Sequence, residues 1–404
     1  MVSIGRPAVV IAGASVAGSA TAKALRRHGF DGRIVLVGAE PHLPYDRPPL
    51  SKQILTGTRQ PNELTLLTAG QVASLDVELL LGRAVTGLRP GRVELADGAD
   101  VAYDKLIIAT GLTARRLPGQ PNDARVLSLR DVGDALALRD RLRCSGSLLV
   151  VGGGFIGAEV AASARALGLK VTIVEADSAP MRRLLGEQVG AWCARLHEEN
   201  GVTILTGSAV RSLRCSTGKV TAELTGGGEL SADMAVVGLG AVPNTGWLTQ
   251  TGNHLGDGVA CDGSGAARGL DGVFAIGDVA RWPDPELGGD YRTEHWTSAR
   301  TQADVVARRI AGVALPRERV PDYVWSDQYR VKIQVAGRPE TADRVELHGN
   351  PDAGIRGRLA LYFRNERLAG AVTFGVPRMF ARLSAAIGLN RDAAVLAVEA
   401  SAVN

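Results

Sequence analysis

Two glycine-rich turns, each set between an apolar strand and a helix, constrain this chain more than any other feature. The first is Val9-Val10-Ile11-Ala12-Gly13-Ala14-Ser15-Val16-Ala17-Gly18, and the second is Leu148-Leu149-Val150-Val151-Gly152-Gly153-Gly154-Phe155-Ile156-Gly157. In such a turn the free N–H groups at a helix N-terminus can face a pyrophosphate. Residues 7–13 read as a parallel strand, 16–28 as a helix and 33–38 as a second buried strand. The second turn repeats the pattern with a strand at 147–151, a helix from about Ile156 to Leu167 and a strand at 170–175. Two separated turns of this kind suggest an enzyme that holds two dinucleotides, as electron transfer between a nicotinamide and a flavin requires.

The chain has 404 residues, 45% of them hydrophobic, enough for two or three domains with cores of their own. No apolar run reaches the length of a membrane-spanning helix. The run from Ala8 to Ala20 lacks a basic leader and breaks into strand, turn and helix, so it reads as mature cytoplasmic structure. The net charge is +4 and the basic residues are interleaved with acids, which argues against nucleic-acid binding. The four cysteines (Cys144, Cys193, Cys215, Cys261) form no Cys-x-x-Cys pair. Flavin disulfide reductases pass electrons through such a pair, so this chain is expected to work without one. No metal site is expected.

Between the two β-α-β units, residues 79–105 read as short antiparallel strands ending in the buried run Lys105 to Ile108. The proline-rich stretch Leu43 to Lys52 reads as a fixed loop leading into a short helix from Ser51. A hairpin region at 203–224 precedes a second buried strand, Met234 to Gly240. From Val320 strands alternate, at Tyr323–Gln328, Val331–Val335, Arg358–Phe363 and Leu368–Thr373, before a final helical stretch from Pro377. The expected architecture is α/β, with two nested Rossmann-like dinucleotide-binding domains in a glutathione-reductase-like arrangement and a small α+β C-terminal domain. The boundaries read as 1–114 and 243–320 for an FAD-binding domain, 115–242 for an NADH-binding domain, and 321–404 for the C-terminal domain.

At the first turn Gly13 supplies the tight bend and Gly18 the close helix packing, while Ser15 stands where the middle glycine of the fingerprint would be. Glu40 lies one or two positions late for an acid that holds the ribose hydroxyls, and Ala39 fills the more usual place. The second fingerprint is intact at Gly152, Gly154 and Gly157, and Glu175 closes the strand that follows. A carboxylate there accepts from both ribose hydroxyls and repels a 2′-phosphate, favouring NADH over NADPH. Arg182 and Arg183 lie nearby and could soften that preference, although solvated helix-end charges are the commoner role. Lys52, in the proline-rich loop, can stabilise negative charge on a reduced flavin, with Glu159 as its counter-charge.

Together these residues resemble the FAD- and NADH-dependent ferredoxin reductases of oxygenase systems. The most specific marks are Pro44-Tyr45-Asp46-Arg47-Pro48-Pro49-Leu50-Ser51-Lys52, Ala109-Thr110-Gly111, the second glycine turn, Ala275-Ile276-Gly277-Asp278, Glu294-His295-Trp296 and Trp325-Ser326-Asp327-Gln328-Tyr329. The resemblance implies that Gly13, Ser15, Ala17 and Gly18 take the FAD pyrophosphate. It also implies FAD contacts for Glu40, Arg47, Val85, Ala109, Thr110, Gly111, Arg130, Gly277 and Asp278. Lys52 would sit near flavin N5 paired with Glu159, and Trp296 against the isoalloxazine edge. Gly152, Gly154, Phe155, Ile156, Gly157, Glu175 and Gly240 would line the NADH site, and Trp325 would lie towards the ferredoxin. Ser15 and Ala39 depart from the family pattern at FAD adenosine contacts.

The activity so implied is hydride transfer from NADH to FAD, then single-electron transfer to a 2Fe–2S ferredoxin serving a cytochrome P450 or a Rieske-type oxygenase. Lys52, Glu159 and Trp296 are the candidate catalytic residues. The rival within enzymes is an NADH-dependent flavin reductase of a quinone, monodehydroascorbate or rubredoxin. Peroxidase relatives need a redox cysteine where this chain has His42-Leu43-Pro44-Tyr45. A non-enzymatic FAD sensor would carry targeting segments or long insertions that are not visible here.

Overall fold

The computed structural model describes residues 6–251, 255–284, 288–315, 323–350 and 354–399. These form two compact units. Of the described residues, one contains those up to Asp46, Pro61–Thr113 and 241–315; the other contains Arg47–Gln60, Ala114–Gly240 and those from Tyr323 on, the C-terminal sheet among them.

In the first unit the run Val9-Val10-Ile11-Ala12 is buried on both sides, which is why it reads as continuous apolar sequence rather than as alternation. It is the centre of a five-stranded parallel sheet with the order Val273–Ala275, Lys105–Ile108, Ala8–Ala12, Arg33–Gly38 and Val77–Leu81. Val9 and Ile11 face the helices Val16–Arg27 and Trp296–Ala311, meeting Leu25, Ala303 and Val306. Val10 and Ala12 face the opposite way, towards Leu88, Val93 and Val101 of a three-stranded meander. The expectation of antiparallel strands over 79–105 is corrected at its start. Val77–Leu81 pairs in parallel with Arg33–Gly38, from Ile34 opposite Val77 to Gly38 opposite Leu81, and only Val85–Arg89, Arg92–Leu95 and Asp100–Ala102 form the meander. A short apolar run carries no sign of strand direction.

The second unit repeats the plan. Its parallel sheet has the order Thr203–Leu205, Lys170–Val174, Ser147–Val151, Met234–Val237 and Val126–Leu127. Leu149, Val151 and Val237 pack against a meander of Val210–Ser216, Lys219–Leu224 and Glu229–Ala232. The expected hairpin at 203–224 is therefore split, since Thr203–Leu205 is a parallel edge strand. The helix Phe155–Ala166 follows the second glycine turn.

A five-stranded antiparallel sheet, ordered Tyr323–Gln328, Val331–Gly337, Arg367–Phe374, Leu359–Arg364 and Arg344–His348, belongs to the same unit. One face, with Ile333, Tyr362 and Phe374, packs on Val189, Cys193 and Leu196 of the helix Arg182–Glu199. The other, with Leu361, Phe363 and Ala371, is covered by Leu383 of the helix Pro377–Ala385. Ser51 does not open a helix: it ends a 3-10 turn, Pro48–Ser51, and the helix proper is Gln53–Thr56. Lys52 stands between them with φ −125° and ψ −93°, non-helical angles that separate the two turns.

Candidate functional site

The two glycine turns have the same local geometry. Gly13 N–H donates to Val37 O at 2.8 Å, and Gly152 N–H donates to Val174 O at 2.8 Å. Both glycines have positive φ, +129° and +101°. A Cβ on Gly13 would lie 2.0 Å from Ala109 O, and one on Gly152 would lie 2.4 Å from Gly238 O. Each turn is thus pressed against the end of the neighbouring strand, where Ala109-Thr110-Gly111 and Gly238-Leu239-Gly240 emerge. Both helices begin without a side-chain cap and without an acidic residue in the first turn. Their first amides and the positive end of each dipole suit a phosphate rather than a carboxylate of the chain itself. These features fit a dinucleotide at each turn, with Ser15 opening one helix and Gly154 the other.

In the first unit Gly277 (φ +70°) lies against Ala17, whose Cβ would be 3.2 Å from a Cβ at position 277. Its N–H donates to Gln302 Oε1 at 2.7 Å, fixing the short turn that carries Asp278. The Gly277-Asp278 signature is therefore brought to the start of the first helix. Thr110 and Asn244 exchange two hydrogen bonds of 2.9 Å, and Gly111 O accepts from Asn244 N–H. Tyr45 OH donates to Glu40. Trp296 Nε1 donates to Asp46 Oδ1 at 2.8 Å, and the Arg300 guanidinium stacks 4.6 Å from the Trp296 ring centroid. Val85 opens the meander, with a bulge between it and Gly87.

In the second unit Glu175 Oε2 accepts from Gly153 N–H at 2.6 Å and Oε1 from Asp177 N–H at 2.8 Å, so the carboxylate is fixed beside the turn. Gly154 has open space where its side chain would be, and Ile156 is 42% exposed, an apolar side chain left uncovered at the turn. Phe155 packs inward, against the core beneath the C-terminal sheet. Arg183 pairs with Asp177 at 3.1 Å and Arg182 with Glu187 at 2.8 Å, each on the solvated surface. Gly240 (φ +80°) accepts from Arg115 N–H at 2.9 Å and has no neighbour in its side-chain direction. Arg47 donates to Arg130 O at 2.5 Å, and Asp134 accepts from Arg130 N–H at 2.8 Å. Burial first, and the nearby Asp131 charge second, raise the Asp134 carboxyl above its ordinary range.

Lys52 and Glu159 form an ion pair of 2.7 Å with side chains only 12% and 5% exposed. Lys52 Nζ also donates to Pro48 O at 2.9 Å. Glu159 Oε2 further accepts from Ser51 Oγ at 2.5 Å. A buried pair with its remaining lone pairs satisfied is the form in which both charges survive desolvation. Sequence reasoning missed Gln302, Asn244 and Arg300, which no local pattern marks, and assigned no role to Asp46 although the Pro44–Lys52 motif contains it. Gln302, Asn244 and Asp46 matter through partners distant in sequence, Arg300 through Trp296 one helical turn away. All four cysteines are free. Burial pushes the Cys193 and Cys261 thiols up to about 12, so neither is a nucleophile at neutral pH.

The pyridine nucleotide-disulphide oxidoreductase family matches residues 7–303, and the reductase C-terminal family matches residues 323–402. The chain belongs to the pyridine nucleotide-disulphide oxidoreductase family. It is 37% identical to rhodocoxin reductase of Rhodococcus erythropolis, covering 92% of this chain and 87% of that one. It is 38% identical to the benzene 1,2-dioxygenase system ferredoxin–NAD(+) reductase subunit of Pseudomonas putida, covering 92% and 90%. Among solved structures it superimposes on putidaredoxin reductase in its covalent complex with putidaredoxin, with a TM-score of 0.88, 31% identity and coverage of 94% and 92%. No helix among the described residues is long and apolar enough to cross a membrane.

Proposed function

We propose that this chain is an NADH-dependent, FAD-containing reductase of a 2Fe–2S ferredoxin that serves a cytochrome P450 or Rieske-type oxygenase, acting in the cytoplasm. The observation that carries the reading is one glycine cradle built twice in a chain whose cysteines are all free. Two dinucleotides without a redox thiol pair leave flavin-to-partner transfer as the exit for electrons. FAD, when bound, takes two electrons as a hydride from NADH and passes them singly to a one-electron acceptor.

The residues divide the work of binding and orientation. Gly13, Ser15, Ala17 and Gly18 present the first helix N-terminus to the FAD pyrophosphate, and Asp278 and Glu40 offer acceptors to its hydroxyls. Gly152, Gly154, Phe155, Ile156 and Gly157 do the same for NADH, while Glu175 accepts from the adenosine ribose and disfavours NADPH. Lys52, paired with Glu159, supplies positive charge towards the flavin, and Trp296 covers its edge. No side-chain acid or nucleophile is needed; the protein contributes proximity and field. Purified protein should be yellow, and anaerobic NADH should bleach its visible band. Cytochrome c reduction should then depend strongly on added ferredoxin; ferredoxin-independent turnover at the same rate would overturn the reading.

A further inference from the structure

The Glu159 carboxylate is gripped from a second side. Ser326 Oγ lies 2.7 Å from Oε1, while Lys52 and Ser51 share Oε2. Ser326 belongs to the strand Tyr323–Gln328 of the C-terminal sheet, 167 positions along the chain from Glu159. An ionised carboxylate can only accept, so the Ser326 hydroxyl donates to it. The hydroxyl oxygen in turn accepts from Gln328 Nε2 at 3.1 Å. Both Ser326 and Gln328 are fully buried. Donation therefore runs one way, from the Gln328 amide to the Ser326 hydroxyl to the carboxylate that faces Lys52.

A buried carboxylate depends on protein donors to replace the water it has lost. With the Ser326 donor removed, Oε1 loses the bond that fixes the plane of the carboxylate, and the Lys52 ammonium paired with Oε2 is loosened with it. We propose that Ser326, oriented by Gln328, is a positioning residue that aims the Glu159 carboxylate at Lys52 and so fixes where the Lys52 ammonium stands. The C-terminal sheet thereby places a residue of the proline-rich loop. The functional meaning, though not the placement itself, rests on the reading of Lys52 as the flavin-facing cation.

The chain has only six lysines, so competitive acetylation of the FAD-loaded protein with acetic anhydride, read by peptide mass spectrometry, reports Lys52 directly. Ser326→Ala should raise Lys52 acetylation by about threefold relative to the other lysines, because the bond that held the carboxylate, and through it the ammonium, is gone. Ser326→Thr, which keeps the hydroxyl, should restore it. Ser163→Ala removes another buried hydroxyl, one that donates to Ser51 O at 2.7 Å rather than to the carboxylate, and should leave Lys52 unchanged. The flavin midpoint potential should fall in Ser326→Ala in the same direction as in Lys52→Gln, because a cation favours the electron-rich state. Unchanged Lys52 labelling in Ser326→Ala, or an equal rise in Ser163→Ala, overturns the inference. If labelling rises while neither Ser326→Ala nor Lys52→Gln moves the potential, the positioning role stands and the flavin-facing reading of Lys52 fails.

Discussion

Gly153 donates its backbone N–H to Glu175 Oε2 at 2.6 Å, so the acid that ends one strand is tied into the glycine turn that ends its neighbour. The carboxylate is placed before any ligand arrives, which lowers the ordering cost of binding. Glu175→Ala should lower NADH affinity by about 1–2 kcal/mol, the scale of hydrogen bonds to a charged group. Titration by fluorescence, with FAD content as control, checks this. Unchanged NADH binding would remove Glu175 from the site.

Gly152 and Gly154 sit two positions apart yet should respond differently to alanine. At Gly152 the added Cβ meets Gly238 O at 2.4 Å with φ at +101°, a clash with backbone that cannot move aside. Gly152→Ala should cost about 2 kcal/mol or more of stability. At Gly154 φ is −73° and the side-chain direction is open. Gly154→Ala should cost about 1 kcal/mol or less, the loss at a helix N-cap, while weakening NADH binding because the methyl occupies the cradle. Urea unfolding and NADH titration on both variants separate the effects. Equal behaviour would contradict the assignment of Gly154 to the ligand-facing side.

The glycine turns were legible because a tight strand-to-helix bend constrains both residue type and spacing. Glu175 was legible for the same reason: the end of the following strand falls at a fixed distance along the chain. Ser326 was not. Its motif stood out, but its bond to Glu159 exists only because an antiparallel sheet lies against the Phe155–Ala166 helix. The strand Arg344–His348 also escaped notice. Its residues are half-buried or exposed on a sheet edge, and Arg344 and Glu346 interrupt the apolar pattern that marks inner strands. The direction of Val77–Leu81 was hidden because pairing partners, not composition, decide it.

His197 is completely buried in the helix Arg182–Glu199, with Nδ1 2.7 Å from Tyr329 OH. Burial lowers its pKa from the model-peptide value of 6.5 to about 4, with the Gln328 side chain opposing the shift. The unfolded chain therefore binds this proton between pH 6.5 and 4 and the folded chain does not. Stability from this group is complete above pH 6.5 and declines as the pH falls towards 4. Between pH 7 and 5 the loss should be about 1–2 kcal/mol. His197→Asn should be less stable at pH 7 but show a shallower decline, measurable by urea unfolding at the two pH values. An undiminished slope would assign the acid sensitivity to other groups.

Two of the contacts that hold Trp296 differ in strength. The indole N–H donates to the Asp46 carboxylate at 2.8 Å, and the Arg300 guanidinium lies 4.6 Å from the ring centroid. A hydrogen bond to a charged, half-buried acceptor contributes about 1.5–3 kcal/mol. A cation over a ring at an exposed site contributes about 0.5–1 kcal/mol. Asp46, not Arg300, should therefore fix the ring plane. If Trp296 covers the flavin edge, Trp296→Phe should shift the flavin visible band and change its vibronic shoulder. Asp46→Ala should reproduce part of that change by freeing the indole, and Arg300→Ala should give much less. Superimposable spectra for Trp296→Phe and the parent protein would place the tryptophan away from the flavin. A larger effect from Arg300→Ala than from Asp46→Ala would reverse the order of the two contacts.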